Sequence, residues 1–463
     1  KIATGCGNAK LVMKKGAAEM ARRSIVDKDY GMEEMMDSYK RMRVLFCDHL
    51  NLPRGKYLPQ AVAKSGSARF CISLFGLTHD RELTPVTGAM MLEGLPDLEA
   101  VFDPDDVRPS WEDDTGIVLA DLQQEGSTLP TCGRSLLKRT IAQFGEKGLS
   151  TQVGIELEAF IFQRGDDGTW VPYDTPGAFV YGSGQSVDPA GLIDDIWHQA
   201  ERCNLPIESL NSEFDWPQFE LTLKYSDALS AIDNIFLFKV MAKETLAKRG
   251  YLLSFMPKPL SDRGGSGLHV NFSFNDSQGG NALADPDGAD GISDLARQCI
   301  AGLMQHHEGM AALLAPTVNS YRRLRPASLS GYWANWGLDH RGTTVRIPGE
   351  RGAATRIEHR MADCASNPYV TTATVLQAAR LGIDNGYELP PVETGDCFEN
   401  INTERCVPEN LGAALAALRA DQALVDAVGP DLVANFCEIK EVEWGKYLAH
   451  TTDWELDYYQ NFV

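Results

Sequence analysis

The stretch Gln152-Val153-Gly154-Ile155-Glu156-Leu157-Glu158-Ala159-Phe160-Ile161-Phe162 decides how this chain is read. At the period of two that governs a strand, Val153, Ile155, Leu157, Ala159 and Ile161 share one face. Glu156 and Glu158 fall on the other, with Phe160 and Phe162. Two carboxylates side by side on one strand face repel unless a cation lies between them. A Glu-x-Glu strand alone is ordinarily a solvated face. Here the opposite face is apolar and the carboxylate face also carries Phe, which points towards a polar cleft.

Three further segments follow the same grammar. Gln218–Leu223 sets Gln218, Glu220 and Thr222 on one face. Gly267–Phe274 sets His269, Asn271 and Ser273 against Leu268, Val270, Phe272 and Phe274. Arg356–Arg360 aligns Arg356, Glu358 and Arg360. Four strands with apolar backs and chemically loaded fronts predict a sheet with one face on a core and the other lining a cleft. That cleft holds Glu156, Glu158, Glu213, Glu220, Glu358 and one imidazole, His269. Oxygen ligands with a single imidazole suit a hard divalent ion, Mg²⁺ or Mn²⁺, not a thiolate zinc site. A basic cluster, Arg322, Arg323, Arg325, Arg341, Arg346, Arg356 and Arg360, offers planar forks for carboxylate and phosphate. A divalent ion beside Arg points to phosphoryl chemistry. Neither GxxxxGK[ST] nor GxGxxG occurs, so the nucleotide site is neither a P-loop nor a Rossmann site.

Composition agrees. The chain has 463 residues, 43 Lys+Arg against 64 Asp+Glu, and a net charge of −21. At about 150 residues per domain this predicts three domains, or two if one is large. The acidity argues against nucleic acid and anionic membrane as partners, and no apolar run reaches the roughly 18 residues of a membrane span. The start, Lys1-Ile2-Ala3-Thr4-Gly5-Cys6, has no signal-peptide core. Ten Cys are scattered with no CxxC, so the expectation is a cytoplasmic enzyme with reduced thiols. Residues 7–43 read as helical. From Arg43 to about Leu122, short β-type runs (Val44–Phe46, Phe70–Phe75, Ile117–Leu119) suggest a small strand-rich domain, and the acidic stretches Asp103–Asp106 and Glu112–Asp114 read as a solvated connector. A helix beginning at Gly133 opens the second domain, and the last third is helix-rich, most clearly at Leu411–Leu418.

Six motifs together resemble the glutamine synthetase family: Gly154-Ile155-Glu156-Leu157-Glu158, Glu213-x4-Gln218-x-Glu220, Gly265-Ser266-Gly267-Leu268-His269, Asn319-Ser320-Tyr321-Arg322-Arg323, Arg341-x4-Arg346-Ile347-Pro348, and Arg356-Ile357-Glu358-x-Arg360 followed by Asn367-Pro368-Tyr369. With Ser254-Phe255-Met256-Pro257-Lys258-Pro259 they look closest to the bacterial branch that joins glutamate to organic amines, the γ-glutamylamide synthetases. The resemblance implies an α+β fold: an N-terminal helix and β-grasp domain over 1–128, and over 129–463 a catalytic domain whose curved antiparallel sheet lines the site. It implies a cytoplasmic, ring-type homo-oligomer, a dodecamer of two hexamers, with a role in amine catabolism. ATP would phosphorylate the side-chain carboxylate of L-glutamate, and an amine would attack the γ-glutamyl phosphate.

By motif, Glu158, Glu213 and Glu220 would hold one metal, and Glu156, His269 and Glu358 the metal that meets the phosphates, with two or three Mg²⁺ or Mn²⁺ per site. Arg341, Arg346 and Arg356 would face ATP phosphates, with Glu208 and Ser273 towards the nucleoside. Arg323, Arg360 and the Gly265 backbone would hold glutamate, and Arg323, Arg341, Arg346 and Glu358 would form the catalytic set. Departures from the family pattern shape the expectation. The usual Asn before Gly265 is Gly264, and the position two past His269 is Asn271. Phe398 stands where some bacterial members carry an adenylylated Tyr, so no such regulation is expected. Ammonia-using members carry a carboxylate in the small domain and another on a flap; here the places are Phe75, within Ser73–Leu77, and Leu329. Both losses predict an apolar amine pocket walled by Phe75, Leu329, Tyr332, Trp333, Trp336 and Phe179, suited to an aromatic amine such as aniline or an alkylamine such as isopropylamine. The alternatives are an ordinary glutamine synthetase using ammonia and a non-catalytic structural protein on this fold.

Overall fold

The structure, a computed structural model, describes residues 38–463. The helix expected over 7–43 lies outside these residues up to 37, and the chain is already in a strand at Arg41. The small domain contains β1 (Arg41–Cys47), β2 (Pro53–Pro59), β3 (Ser67–Cys71), β4 (Asp97–Val101), β5 (Arg108–Pro109), β6 (Thr115–Leu119), β7 (Asp121–Gln124) and β8 (Ser127–Thr128). They form two four-stranded sheets, ordered β2-β1-β6-β5 and β3-β4-β7-β8, with β1 and β6 parallel.

Alternation along β1 explains how this domain sits. Met42, Val44 and Phe46 point into the small domain's own core. Leu45 and Cys47 join the large core, with Trp111, Ile117 and Leu119. The first sheet is therefore apolar on both faces and glues the two units together. Charged groups reinforce the seam: Arg43 grips Glu244 of the helix Ala228–Lys248 with two bonds of 2.9 and 2.7 Å. Glu112 is an exception to the expected solvated connector. It accepts from Arg41, Arg43 and Tyr57 and is well shielded.

The large unit begins with the helix Gly133–Gly145. Its frame is β9 (Ser150–Arg164), β10 (Trp170–Pro172), β11 (Ile207–Ser212), β12 (Gln218–Leu223), β13 (Ser226–Asp227), β14 (Leu252–Ser254), β15 (Leu268–Asn275), β16 (Trp336–Leu338), β17 (Val345–Ile347) and β18 (Ile357–His359). Ten strands form one sheet along the path β11-β12-β9-β15-β18-β17-β16, with β10, β13 and β14 also on β9. All pairs but β16–β17 are antiparallel. Val153, Ile155, Leu157, Ala159 and Ile161 are all buried in the large core, where helices Ala228–Lys248 and Gly133–Gly145 pack on β9. That packing leaves the Glu face of β9 as the concave wall of a cleft. All nine described Cys are free, and among the described residues no helix is long and apolar enough to cross a membrane.

Candidate active site

Register assembles the site. On β9, Glu156 stands opposite Thr222 of β12 and His269 of β15, and Glu158 stands opposite Glu220. Facing side chains on antiparallel strands lie close enough to share a ligand. His269 Nδ1 is 3.0 Å from Glu156 Oε2 and 3.6 Å from Glu358 Oε1. Asn271 Nδ2 donates to Glu156 Oε1 at 3.0 Å. Glu213, just beyond β11, closes the other end. The ligand atoms form two groups, Glu156–His269–Glu358 and Glu158–Glu213–Glu220, each within 4.8 Å.

The two groups differ electrostatically. Burial opposes ionisation of Glu156, but the hydrogen bond and charge of His269, then Arg360 and Asn271, win and bring it down to about 2. Glu358 accepts from Arg346 Nη1 at 2.8 Å and from Arg360 Nη1. The first group is thus largely balanced by the protein's own cations. The second is not. Burial and the charges of Glu156, Glu213 and Glu158 push Glu220 up to about 8, and burial and Glu158 raise Glu213. Three crowded carboxylates, which no Lys or Arg pairs among the described residues, fit a hard divalent ion, which would restore all three to the ionised form.

Beside Glu156 a cavity of about 470 Å³ opens, lined by Glu208, Ser273, Arg356, Asn271, Tyr225 and Glu350 among others. Glu208 and Ser273, expected towards the nucleoside, meet here with Arg356, one of the three Arg expected at the phosphates. Arg356 is steadied by Asn271 Oδ1 and Glu350, each at 3.3 Å. Arg346 faces Glu358 and Asp339 instead, at 2.8 and 2.5 Å. Arg341 is exposed on the turn between β16 and β17.

On the opposite side of the carboxylates, Gly265 and Gly267 pack on Arg323. A Cβ at either would come within 2.7 Å of that side chain. Arg323 is buried, and its Nη1 and Nη2 donate to the carbonyls of Met361 and Arg360 at 2.8 and 3.2 Å. It braces the floor from below. Gln218 ties the floor to the ligands, its Nε2 donating to Gly265 O at 2.9 Å and Glu158 Oε2 at 3.2 Å.

A family model for the glutamine synthetase catalytic domain matches residues 130–459. The chain belongs to the glutamine synthetase family. The glutamine synthetase of Clostridium saccharobutylicum is 36% identical over 341 residues, 71% of this chain and 75% of the relative. That of Pyrococcus abyssi is 29% identical over 444 residues, 91% and 97% of the two chains. A solved structure of GmaS without ligand matches with TM-score 0.80 at 28% identity over 91% of this chain and 97% of that one. A GmaS/ADP complex matches equally, with TM-score 0.80 and 28% identity over 92% and 97%. Glutamine synthetases and their relatives are ATP-dependent carbon–nitrogen ligases that use divalent metals and commonly form rings.

Against this family background the amine wall needs correcting. Phe75 is 1% exposed, in the small domain's core, so it walls no open pocket. The expected strand Phe70–Phe75 ends at Cys71 and continues as a 3₁₀ turn, Ile72–Gly76, which rotates Phe75 inward. Trp336 is also core, its indole donating to Pro390 O at 2.8 Å. Leu329 is 47% exposed with φ +56°. Tyr332 and Trp333 are half-buried and edge-to-face at 4.8 Å. Phe179 is exposed, its carbonyl held by Ser212 Oγ at 2.5 Å just before Glu213. Sequence reasoning missed the intervening Phe214, Asp215 and Trp216. A carboxylate and two aromatics inside a metal-ligand motif are the signal that could have found them.

Proposed function

We propose that this protein joins the side-chain carboxylate of L-glutamate to an organic amine at the expense of ATP. The observation that carries the reading is the single bowl in which both carboxylate groups, the cavity of Glu208, Ser273 and Arg356, and the Gly265–Arg323 floor adjoin. A carboxylate is a poor electrophile. Transfer of the terminal phosphoryl of ATP gives γ-glutamyl phosphate and ADP; phosphate is a good leaving group, and attack by the amine nitrogen forms the amide and releases phosphate, with the proton the nitrogen loses leaving to phosphate or water. Divalent ions held by Glu158–Glu213–Glu220 and by Glu156–His269–Glu358 would supply neutralisation of the phosphate oxygens. Arg346 and Arg360, both anchored on Glu358, hold fixed positive charge where oxyanions develop. Arg356 steadies the phosphate chain, and Arg341 adds its charge from the exposed turn beside Asp339.

The choice of amine rests on the nitrogen side. Neither Phe75 nor Leu329 offers a carboxylate to an ammonium ion, while exposed Leu329 and half-buried Trp333 offer apolar surface to a larger amine. The likeness to GmaS, a γ-glutamylmethylamide synthetase, supports this. Aniline and isopropylamine represent the aromatic and alkyl cases. One observation favours a second reading: curated relatives carry the name glutamine synthetase, which would make ammonia the nitrogen donor. Ring assembly is supported by an exposed apolar C-terminal segment, Trp454, Leu456, Tyr458, Tyr459 and Phe462.

The test is phosphate release from ATP with Mg²⁺ or Mn²⁺ and L-glutamate, across ammonia, methylamine, ethanolamine, isopropylamine and aniline, with product masses. Turnover confined to organic amines upholds the reading. Turnover best with ammonia replaces it by glutamine synthesis.

A further inference from the structure

The loop between Glu213 and Gln218 places a carboxylate where no assigned role uses it. The loop is tightly closed: Glu213 N donates to Gln218 O, and Gln218 N to Asp215 O, each at 2.9 Å. Arg263 locks it to the neighbouring glycine loop, with its guanidinium 4.2 Å over the Trp216 ring and Nη1 donating to Trp216 O at 2.7 Å. Asp215 Oδ2 accepts from the backbone N–H of Gly264. No other hydrogen bond reaches the Asp215 carboxylate among the described residues.

Gly264 leaves bare space in front of this carboxylate. A Cβ there would stand 3.1 Å from Asp215 Oδ2 and 3.3 Å from Gln218 Oε1. Gln218 is 5% exposed and spends its amide hydrogens on Glu158 and Gly265. Its oxygen is therefore fixed facing the same space, and no donor reaches it among the described residues. An anionic and a neutral acceptor converging over a bare Cα, with no Lys or Arg reaching either among the described residues, are complementary to a primary ammonium group.

We infer that Asp215 and Gln218 Oε1 bind the α-ammonium of the glutamyl donor across Gly264, so that Asp215 is a specificity-determining residue for the acyl substrate. The inference rests on the ligase reading. It explains why a side chain is dispensable at position 264: the polar contact is made from the facing loop. The same chemistry could come from an alkylammonium second substrate, and kinetics separate the two.

The experiment measures KM for L-glutamate, amine and ATP in the wild type, in Asp215→Asn, and in Gly264→Ala, with glutarate, which lacks the α-ammonium, as an alternative donor. Asn keeps the acceptor for Gly264 N–H and removes only charge. Ala fills the cradle by an independent route. Loss of a charge-assisted bond is expected to raise KM for L-glutamate about ten-fold or more in both variants. KM for ATP and amine should stay within about two-fold, and the preference for L-glutamate over glutarate should collapse. Unchanged KM for L-glutamate, an equal effect on glutarate, or a rise confined to the amine would overturn the assignment. A wild type that turns over with no amine and glutamate refutes the ligase reading itself, before any variant is compared.

Discussion

Replacing Glu220 by Gln should stabilise the metal-free protein while removing its grip on a divalent ion. The side chain is crowded by Glu156, Glu213 and Glu158, and its carboxyl is raised from an ordinary 4.5 to about 8 by burial and those charges. The folded state therefore retains a proton that the unfolded state has lost. Stability contributed by this group is full below pH 4.5 and falls as pH rises to about 8. At 1.36 kcal/mol per pKa unit, less partial solvent screening, the accumulated cost at pH 8 is about 3 kcal/mol. Gln carries no such cost. For a chain this long, 1 kcal/mol corresponds to roughly 1 °C, so in chelator at pH 8 the variant should melt roughly 3 °C above wild type, and the two should converge near pH 5. Adding Mg²⁺ should close the gap, since a ligand at a hundred times its Kd adds about 3 kcal/mol to the wild type that binds it. Thermal melts in EDTA and in Mg²⁺ across pH 5–8 read this directly. A variant less stable than wild type in EDTA at pH 8, or a difference that ignores pH, would refute the reasoning.

Other consequences follow from buried groups. Asp233 accepts from Arg134 at 2.9 and 2.8 Å and from Tyr369 at 2.6 Å, all buried or nearly so; Asp233→Ala strands the Tyr369 hydroxyl and leaves Arg134 only Asp121, and should cost about 3 kcal/mol in denaturant melts. Burial lowers His49 and His307 from 6.5 to about 4. The unfolded chain takes these protons first, so stability should fall as pH drops from 6.5 to 4, by about 3 kcal/mol per His, as urea titrations would record. Arg356→Ala should raise KM for ATP about ten-fold or more in initial-rate kinetics, with KM for glutamate little changed.

Much of the site was legible because strand periodicity and register are one physical fact. Once Glu156, Glu158, Glu220 and His269 lie on alternating positions of antiparallel strands, pairing with a common face brings them together. The apolar backs of β9 and β15 show equally plainly in the sequence. What failed were residues whose direction depends on a break in that period. Phe75 turns inward because a 3₁₀ turn replaces the last strand residues, and Trp336 is claimed by a three-residue strand whose indole finds Pro390. Arg323 reads as a ligand group by motif, yet two backbone carbonyls engage it under the floor. Asp215 went unread because only a folded loop brings it to Gly264.

The most direct test of the central claim follows oxygen. L-glutamate labelled with heavy oxygen in its side-chain carboxylate is turned over with ATP and the best amine, and the released phosphate is weighed. A γ-glutamyl phosphate route transfers one labelled oxygen to phosphate for each amide formed. Phosphate released without label while amide accumulates would contradict it.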